Sequence, residues 1–137
     1  MTTERIIEQL GAAPLADDGN ITGGVWWLAL TDDRDVVVGR DARAMLVVVD
    51  GVGAHDMNVD IMAGAQLRIL HVVTERSASQ IAVAVAEGAS CRVTEIVVAA
   101  SDTRIVASLM ERGARFELGG AFILTDEDKA SVAVDVN

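Results

Sequence analysis

A Gly-Ala pair recurs along this chain at Gly64-Ala65, Gly88-Ala89 and Gly113-Ala114, in steps of 24 and 25 residues. Each pair opens two valine-rich runs in which inward and outward positions alternate with a period of two. A fixed period of this length with strand-like alternation is the signature of a repeat architecture, in which each unit buries its apolar face by stacking on the next. Two strands per turn, stacked in register, make a parallel β-helix. The sequence therefore predicts an all-β fold of this class.

Alignment of the repeats from each glycine predicts which side chains stack on one another. The first runs bring three residues to one equivalent position, Leu67, Cys91 and Phe116. The second runs bring together the stretches 81–85, 105–109 and 130–134, each with apolar residues at alternate positions. Since 51% of the chain is hydrophobic but only 3% is aromatic, its core consists of small and β-branched side chains, which suit narrow, regular strand stacking.

Two parts are expected within the chain. Residues 3–10 predict a short helix with Gly11 as its stop, and a turn-rich linker follows, so residues 1–20 form an N-terminal helix and linker and residues 21–137 form the β-helix. An up-and-down barrel or a sandwich remains an alternative, because the Asp50-Gly51 dipeptide is a hairpin signal. A meander, however, has no reason to repeat one residue at every second turn.

The formal net charge is −10 and ten of the eleven basic residues are scattered arginines. This composition excludes a nucleic-acid or anionic-membrane surface, because affinity for phosphate needs clustered cations. Every apolar run is interrupted by a charged residue before it could span a bilayer, and the N-terminus has no apolar region of the signal-peptide kind. A cytoplasmic protein is expected.

The stretch from Gly53 to Asn137 resembles the core of the SufB/SufD family of iron–sulfur cluster assembly proteins. The resemblance is carried by Ile-Leu-His-Val-Val-Thr-Glu-Arg at 69–76, the strand and turn at 81–89, Thr103-Arg104-Ile105, Gly113-Ala114 with Leu118-Gly119-Gly120, and the final Asp135-Val136-Asn137. It implies a right-handed parallel β-helix that acts as a SufD-like, non-catalytic scaffold subunit through protein–protein contacts.

The resemblance also implies partners. These are a SufB/SufD-type subunit and its ABC-type ATPase, with an iron–sulfur cluster held only in a complex and no cofactor bound by this chain alone. Family proteins are longer, so the chain is expected to be a core fragment. The helical region that docks the ATPase, and the late cysteine and histidine positions, would lie beyond Asn137.

No motif predicts a metal site, and the candidate ligands are Cys91 and His71. Cys91 shares the apolar register of Leu67, so core packing is expected, with a ligand or persulfide carrier as the alternative. For His71 we expect a surface or edge position. By the repeat count Glu95 stacks one turn later, so the two could form a pH-sensitive pair or half of a metal site.

Interfaces are predicted at both ends of the stack. In a strand, Trp26 and Trp27 face opposite sides, so one should plug the N-terminal end and the other should cover the helix or contact a partner. The last strand is valine-rich and has no cap, which predicts at least a dimer through Val132, Val134 and Val136.

No catalytic residues are predicted, because the chain lacks a nucleophile elbow and a phosphate loop. Two other functions stay open. One is a self-assembling structural β-helix of the cytoskeletal kind, without a cluster role. The other is a small carbohydrate-acting or ligand-binding all-β protein that uses the acidic turns at 32–33 and 126–128.

Overall fold

The described part of the chain winds into a β-solenoid with one short helix. The computed structural model describes residues 3–50, 52–74, 76–97, 101–110, 112–122 and 130–136. Helix α1 spans Thr3–Leu10 and twelve strands follow: β1 Ala13–Pro14, β2 Asn20–Ile21, β3 Gly24–Leu30, β4 Arg34–Val38, β5 Arg43–Asp50, β6 Gly53–Ile61, β7 Gln66–Val73, β8 Ser77–Val85, β9 Ser90–Val97, β10 Ser101–Leu109, β11 Arg115–Phe122 and β12 Ala130–Val136.

Successive strands alternate between two six-stranded sheets. Sheet A has the order β1-β3-β5-β7-β9-β11, and sheet B has the order β12-β10-β8-β6-β4-β2. Every described strand pair is parallel. The predicted parallel β-helix is therefore confirmed, and the hairpin alternative at Asp50-Gly51 is wrong, because β5 and β6 belong to different sheets.

The repeated glycines form the turns from sheet B to sheet A. Gly64, Gly88 and Gly113 have φ angles of 73°, 66° and 82°, a backbone region that residues with a Cβ avoid. The alanines that follow the first two, Ala65 and Ala89, are fully buried. A tight turn and a small inward side chain thus recur together, which explains the period seen in the sequence.

The predicted register holds for most of the stack. Leu67 pairs with Cys91 and Cys91 with Phe116, while Ile81 pairs with Ile105. The last run is the exception: Ile105 pairs with Val134, where the repeat count placed Ala130. The step from β10 to β12 is longer than 25 residues because the connection after β11 is longer, and the shift of four residues keeps the inward and outward positions unchanged.

The core is a set of apolar columns that run along the solenoid axis. The column of Ile69 and Val93 is fully buried, and Leu118, which follows it on β11, is 40% exposed. Phe116, above Cys91, is half-buried. In the part of the chain that the structure describes, β11 and β12 are terminal in their sheets and are paired on one side. The apolar core therefore reaches the surface at this open end.

The segment before residue 21 belongs to the solenoid as well. Ala13 and Pro14 pair with β3, and Leu15 joins the core. Leu10, at the end of α1, borders a groove with Met45 and Leu70 on the outer face of sheet A. The helix therefore lies against this face and not across the end of the stack.

Among the described residues, no helix is long and apolar enough to cross a membrane.

Candidate functional site: a buried histidine between two carboxylates

The solenoid interior contains one polar cluster among the residues that the structure describes, at the corner where sheet A strands end and sheet B strands begin. Asp50 closes β5, His71 lies near the end of β7, and Glu95 occupies the matching place on β9. Ser79 joins them from the start of β8. All four side chains are buried, His71 completely. The cluster therefore crosses three successive strands of sheet A and one of sheet B.

Each nitrogen of the His71 ring faces a carboxylate. Nδ1 lies 2.6 Å from Glu95 Oε2, and Nε2 lies 2.8 Å from Asp50 Oδ2. The Ser79 hydroxyl donates to the same Asp50 oxygen at 2.6 Å. An ionised carboxylate only accepts hydrogen bonds, so each of these two contacts needs a proton on the ring nitrogen, and the arrangement suits an imidazolium held between two carboxylates.

The electrostatics agree with this protonation state. Burial by itself disfavours the charged ring and lowers the pKa of His71. The hydrogen bonds to Asp50 and Glu95, and the charges of both carboxylates, outweigh burial and raise the pKa to about 9. His71 is therefore a cation at neutral pH in the folded protein.

The expected surface position of His71 is wrong. Leu67, Ile69, His71 and Val73 share the inward face of β7, because side chains alternate along a strand. A buried cation is tolerated when it is paired and hydrogen-bonded, and both carboxylates supply that compensation. The predicted stacking of His71 beside Glu95 is confirmed, and it occurs inside the core.

This arrangement does not fit nucleophilic catalysis. The Ser79 hydroxyl points its proton at Asp50 and not at an imidazole nitrogen, so no base activates it. Both ring nitrogens are engaged, and the ring has no exposed surface. The chemistry that the cluster supports is proton-dependent stabilisation of the solenoid.

Four further polar atoms in this corner are buried and have no hydrogen-bond partner among the described residues: Asp50 Oδ1, Ser77 Oγ, Glu95 Oε1 and Thr103 Oγ1. Thr103 pairs with Ser79 across β10 and β8, and Ser77 lies two residues before Ser79. Buried polar atoms without partners each cost about 1–3 kcal/mol. The corner is thus a polar interruption of an otherwise apolar interior.

The two candidate metal ligands are not brought together. Cys91 pairs with Leu67 and His71 with Glu95, four residues further along the strands, which corresponds to about 13 Å. In the described part of the chain, no group of three His, Cys, Asp or Glu side chains could hold a metal ion. The expected core position of Cys91 is confirmed, since its thiol is buried and burial raises its pKa to about 12.

The tryptophans divide as predicted. Trp26 packs against the core and donates from Nε1 to the Gly23 carbonyl at 2.6 Å, and Trp27 points to the outer face of sheet A, where it is half-buried. Of the predicted interface valines on β12, Val136 is 53% exposed. The side chains of Val132 and Val134 lie outside the described part of the structure, as does the acidic turn at 126–128.

The other acidic turn has a structural role. The Asp33 carboxylate accepts a hydrogen bond from the backbone N–H of Asp56 at 2.9 Å, which ties the turn before β4 to β6. A carboxylate engaged in this way caps a backbone group, as many turn aspartates do.

Sequence reasoning missed Asp50 and Ser79. In the sequence, Asp50 looks like a turn residue, and Ser79 looks like an ordinary serine of a strand. The available signal was the alternation of inward and outward positions: Asp50 continues the inward series of Leu46 and Val48, and Ser79 lies between Ser77 and Ile81 in the inward series of β8. Comparison of the chain with protein-family models, with curated proteins and with solved structures finds no match.

Proposed function

We propose that this chain is a non-catalytic scaffold subunit that works through protein–protein contacts, in the manner of a SufD-like component of iron–sulfur cluster assembly. The resemblance of residues 53–137 to the SufB/SufD core suggests the class of complex. The β-solenoid fold agrees with the architecture which that resemblance implies. A cytoplasmic location and the absence of a resident cofactor are part of the same proposal.

The observation that carries the proposal is the open end of the solenoid. Leu118 occupies an inward position yet is 40% exposed, and Val136 on the terminal strand β12 is 53% exposed. Among the described residues, β12 pairs with β10 only, and a strand that is paired on one side presents backbone groups to a further strand. An apolar core that ends beside an unpaired strand is the surface that a second β-solenoid of similar cross-section would cover.

Native purification of the tagged chain from its own cells, with mass spectrometry of the bound proteins, tests the proposal. Recovery of an ABC-type ATPase together with a longer β-helix homologue is the expected result. Leu118→Arg should abolish this recovery because it places a charge at the end of the core. Met62→Arg is the matched control, since Met62 is 42% exposed and lies at a corner away from this end. Recovery of the bait alone would reject the cluster-assembly role.

A self-assembling structural solenoid is the second candidate. The open end favours it too, because another copy of this chain has the same strand spacing and could extend the stack. Sedimentation of the purified protein alone distinguishes the two functions: large assemblies without any partner favour the structural role.

A further inference from the structure

Two arginines stand side by side on the outer face of sheet A. Arg68 on β7 and Arg92 on β9 are direct partners in the register, so their side chains leave neighbouring strands about 4.8 Å apart. Both are exposed, and together they form what we call the arginine pair. In the part of the chain that the structure describes, Arg68 has no ion pair, whereas Arg92 has one with Glu117 at 4.0 Å. Positive charge is therefore concentrated here with little compensation.

The arginine pair needs an anion. Like charges directly opposite each other on neighbouring strands destabilise a sheet. The chain has 21 acidic and 11 basic residues, yet among the described residues the only carboxylate within ion-pair distance of the two arginines is that of Glu117. Both members of that contact are more than half exposed, and exposed ion pairs contribute little. An anion between the two guanidinium groups would remove their repulsion and accept hydrogen bonds from both.

A groove runs past the arginine pair, and the pair lines both of its parts. Towards the starts of the strands the lining is polar and includes Gln66 and Ser90. On the other side of the pair, a space of about 300 Å³ is lined by Met45, Leu70 and, from the end of α1, Leu10. The groove thus joins a cationic centre to an apolar part.

The apolar part is bounded by the covered region of the same face. Leu70 is half-buried and follows Arg68 by two residues, which places it about 6.6 Å further along β7. Its neighbours on this face are Val47, its register partner on β5, and Val72, two residues further along β7, and both are buried. Apolar surface beside the arginine pair is therefore confined to a short cleft that ends against covered residues.

We propose that this groove binds a carboxylate that carries a hydrocarbon chain, such as a medium-chain fatty acid. The carboxylate lies between Arg68 and Arg92, because planar guanidinium groups match the two oxygens of a carboxylate. The chain lies against Leu10, Met45 and Leu70, where each methylene removed from water adds to the affinity. This site goes beyond the proposed assembly role and does not depend on it.

The charge of the protein favours a small ligand of this kind over a large anion. A net charge of −10 repels nucleic acids and anionic membranes at long range, and two arginines supply too few contacts to overcome that repulsion. A single carboxylate needs only the arginine pair. Its hydrocarbon chain also fills the apolar part of the groove, which an inorganic anion would leave in contact with water.

An NMR titration of the ¹⁵N-labelled wild-type protein with octanoate tests the proposal. Octanoate should shift the backbone amides of Met45, Arg68, Leu70 and Arg92, with a dissociation constant of about 1 mM or lower. Acetate, which lacks the chain, and octanol, which lacks the charge, should each bind at least tenfold more weakly. The affinity should rise about threefold for each methylene added from hexanoate to decanoate.

Charge variants test the arginine pair. Arg68→Gln/Arg92→Gln should weaken octanoate binding at least tenfold, because it removes both cations. Arg40→Gln/Arg76→Gln is the matched control, since both residues are exposed and lie outside the strands, and it should bind octanoate as the wild type does. Glu117→Gln should strengthen binding about twofold to fivefold, because it removes the carboxylate that competes for Arg92.

A variant at the end of α1 tests the apolar part. Leu10→Ser should weaken octanoate binding at least threefold and leave the weak binding of acetate unchanged. Val52→Ser is the matched control, because Val52 is an apolar residue at a different corner and is 68% exposed. Leu10 is itself 38% exposed, so neither substitution opens the core.

Four results would overturn the proposal. One is the absence of amide shifts at about 10 mM octanoate. Another is a set of shifts around Leu118 and Val136 in place of the groove, which would show adsorption to the apolar surface of the open end. An affinity that does not depend on chain length would overturn it too. So would equal octanoate binding by the wild type and by Arg68→Gln/Arg92→Gln.

Discussion

His71 is the residue whose environment differs most from what its neighbours in the sequence suggest. Its imidazolium lies between Asp50 and Glu95 in the solenoid core, with hydrogen bonds of 2.8 Å and 2.6 Å. The folded state holds its pKa at about 9, against an ordinary value of 6.5. Because the pKa of His71 differs this much between the folded and the unfolded state, the free energy of unfolding depends on pH.

The pH dependence of stability is the prediction at this scale. Because the folded pKa of His71 is raised, its contribution is fully present below about pH 6.5 and is lost as the pH rises through about 9. A shift from 6.5 to about 9 corresponds to about 3 kcal/mol of unfolding free energy. Urea unfolding followed by tryptophan fluorescence between about pH 6 and pH 9 measures this loss.

Two variants identify the group responsible. His71→Gln should be less stable at pH 6 and should show no loss between pH 6 and pH 9. Cys91→Ala should keep the wild-type loss, because the thiol has a folded pKa of about 12 and an ordinary value of 9.0, so its own effect begins only above pH 9. A wild-type slope in His71→Gln would show that another group controls the transition.

At the scale of the element, strand β11 has a glycine at the register position that His71 occupies on β7 and Glu95 occupies on β9. Gly120 pairs with Glu95, directly above it in the stack. A Cβ at this position would stand 2.9 Å from the Glu95 carbonyl oxygen and 3.1 Å from the Glu95 Cβ. Backbone atoms cannot move aside as a flexible side chain can, so glycine is required here by close approach.

We therefore expect Gly120→Ala to lower the free energy of unfolding by about 1–3 kcal/mol. Gly119→Ala is the matched control on the same strand, because a Cβ there has open space, and it should stay within about 0.5 kcal/mol of the wild type. Chemical denaturation of both variants measures the difference. Equal stabilities would mean that β11 shifts to accept the methyl group.

At the scale of the whole molecule, stability should be distributed along the solenoid axis. Each turn contacts mainly its neighbours, so interior turns are held from two sides and terminal turns from one. Strands β7 and β8 have full-length partners on both sides, whereas β1 and β2 have two residues each and a partner on one side only. Opening free energies should therefore fall from the middle towards the ends.

Native-state hydrogen exchange tests this gradient. Backbone amides of β7 and β8 should exchange at least a hundredfold more slowly than amides of β1 and β2, and β11 and β12 should be intermediate or fast in the isolated protein. Uniform protection across all strands would mean that the solenoid unfolds as one cooperative unit.

The sequence by itself determined the architecture. Glycines at 64, 88 and 113 set the turn positions, and the period-two runs between them decided which residues face inward. Cys91 could be placed in the core, and Glu95 beside His71, because in-register stacking places residues that are one repeat apart next to each other on neighbouring strands. The position of β12 could not be counted, because the longer connection before it departs from the period.

Only the tertiary structure decided what the cluster is. Asp50, His71 and Ser79 meet around a corner and across turns, at separations that no single period describes. The same applies to the arginines, since the sequence shows them scattered and the fold places four of them, Arg43, Arg68, Arg92 and Arg115, on the outer face of sheet A. Alternation along a strand predicts whether a side chain faces the core or the solvent. Which distant residues become its neighbours on that face depends on how the chain winds.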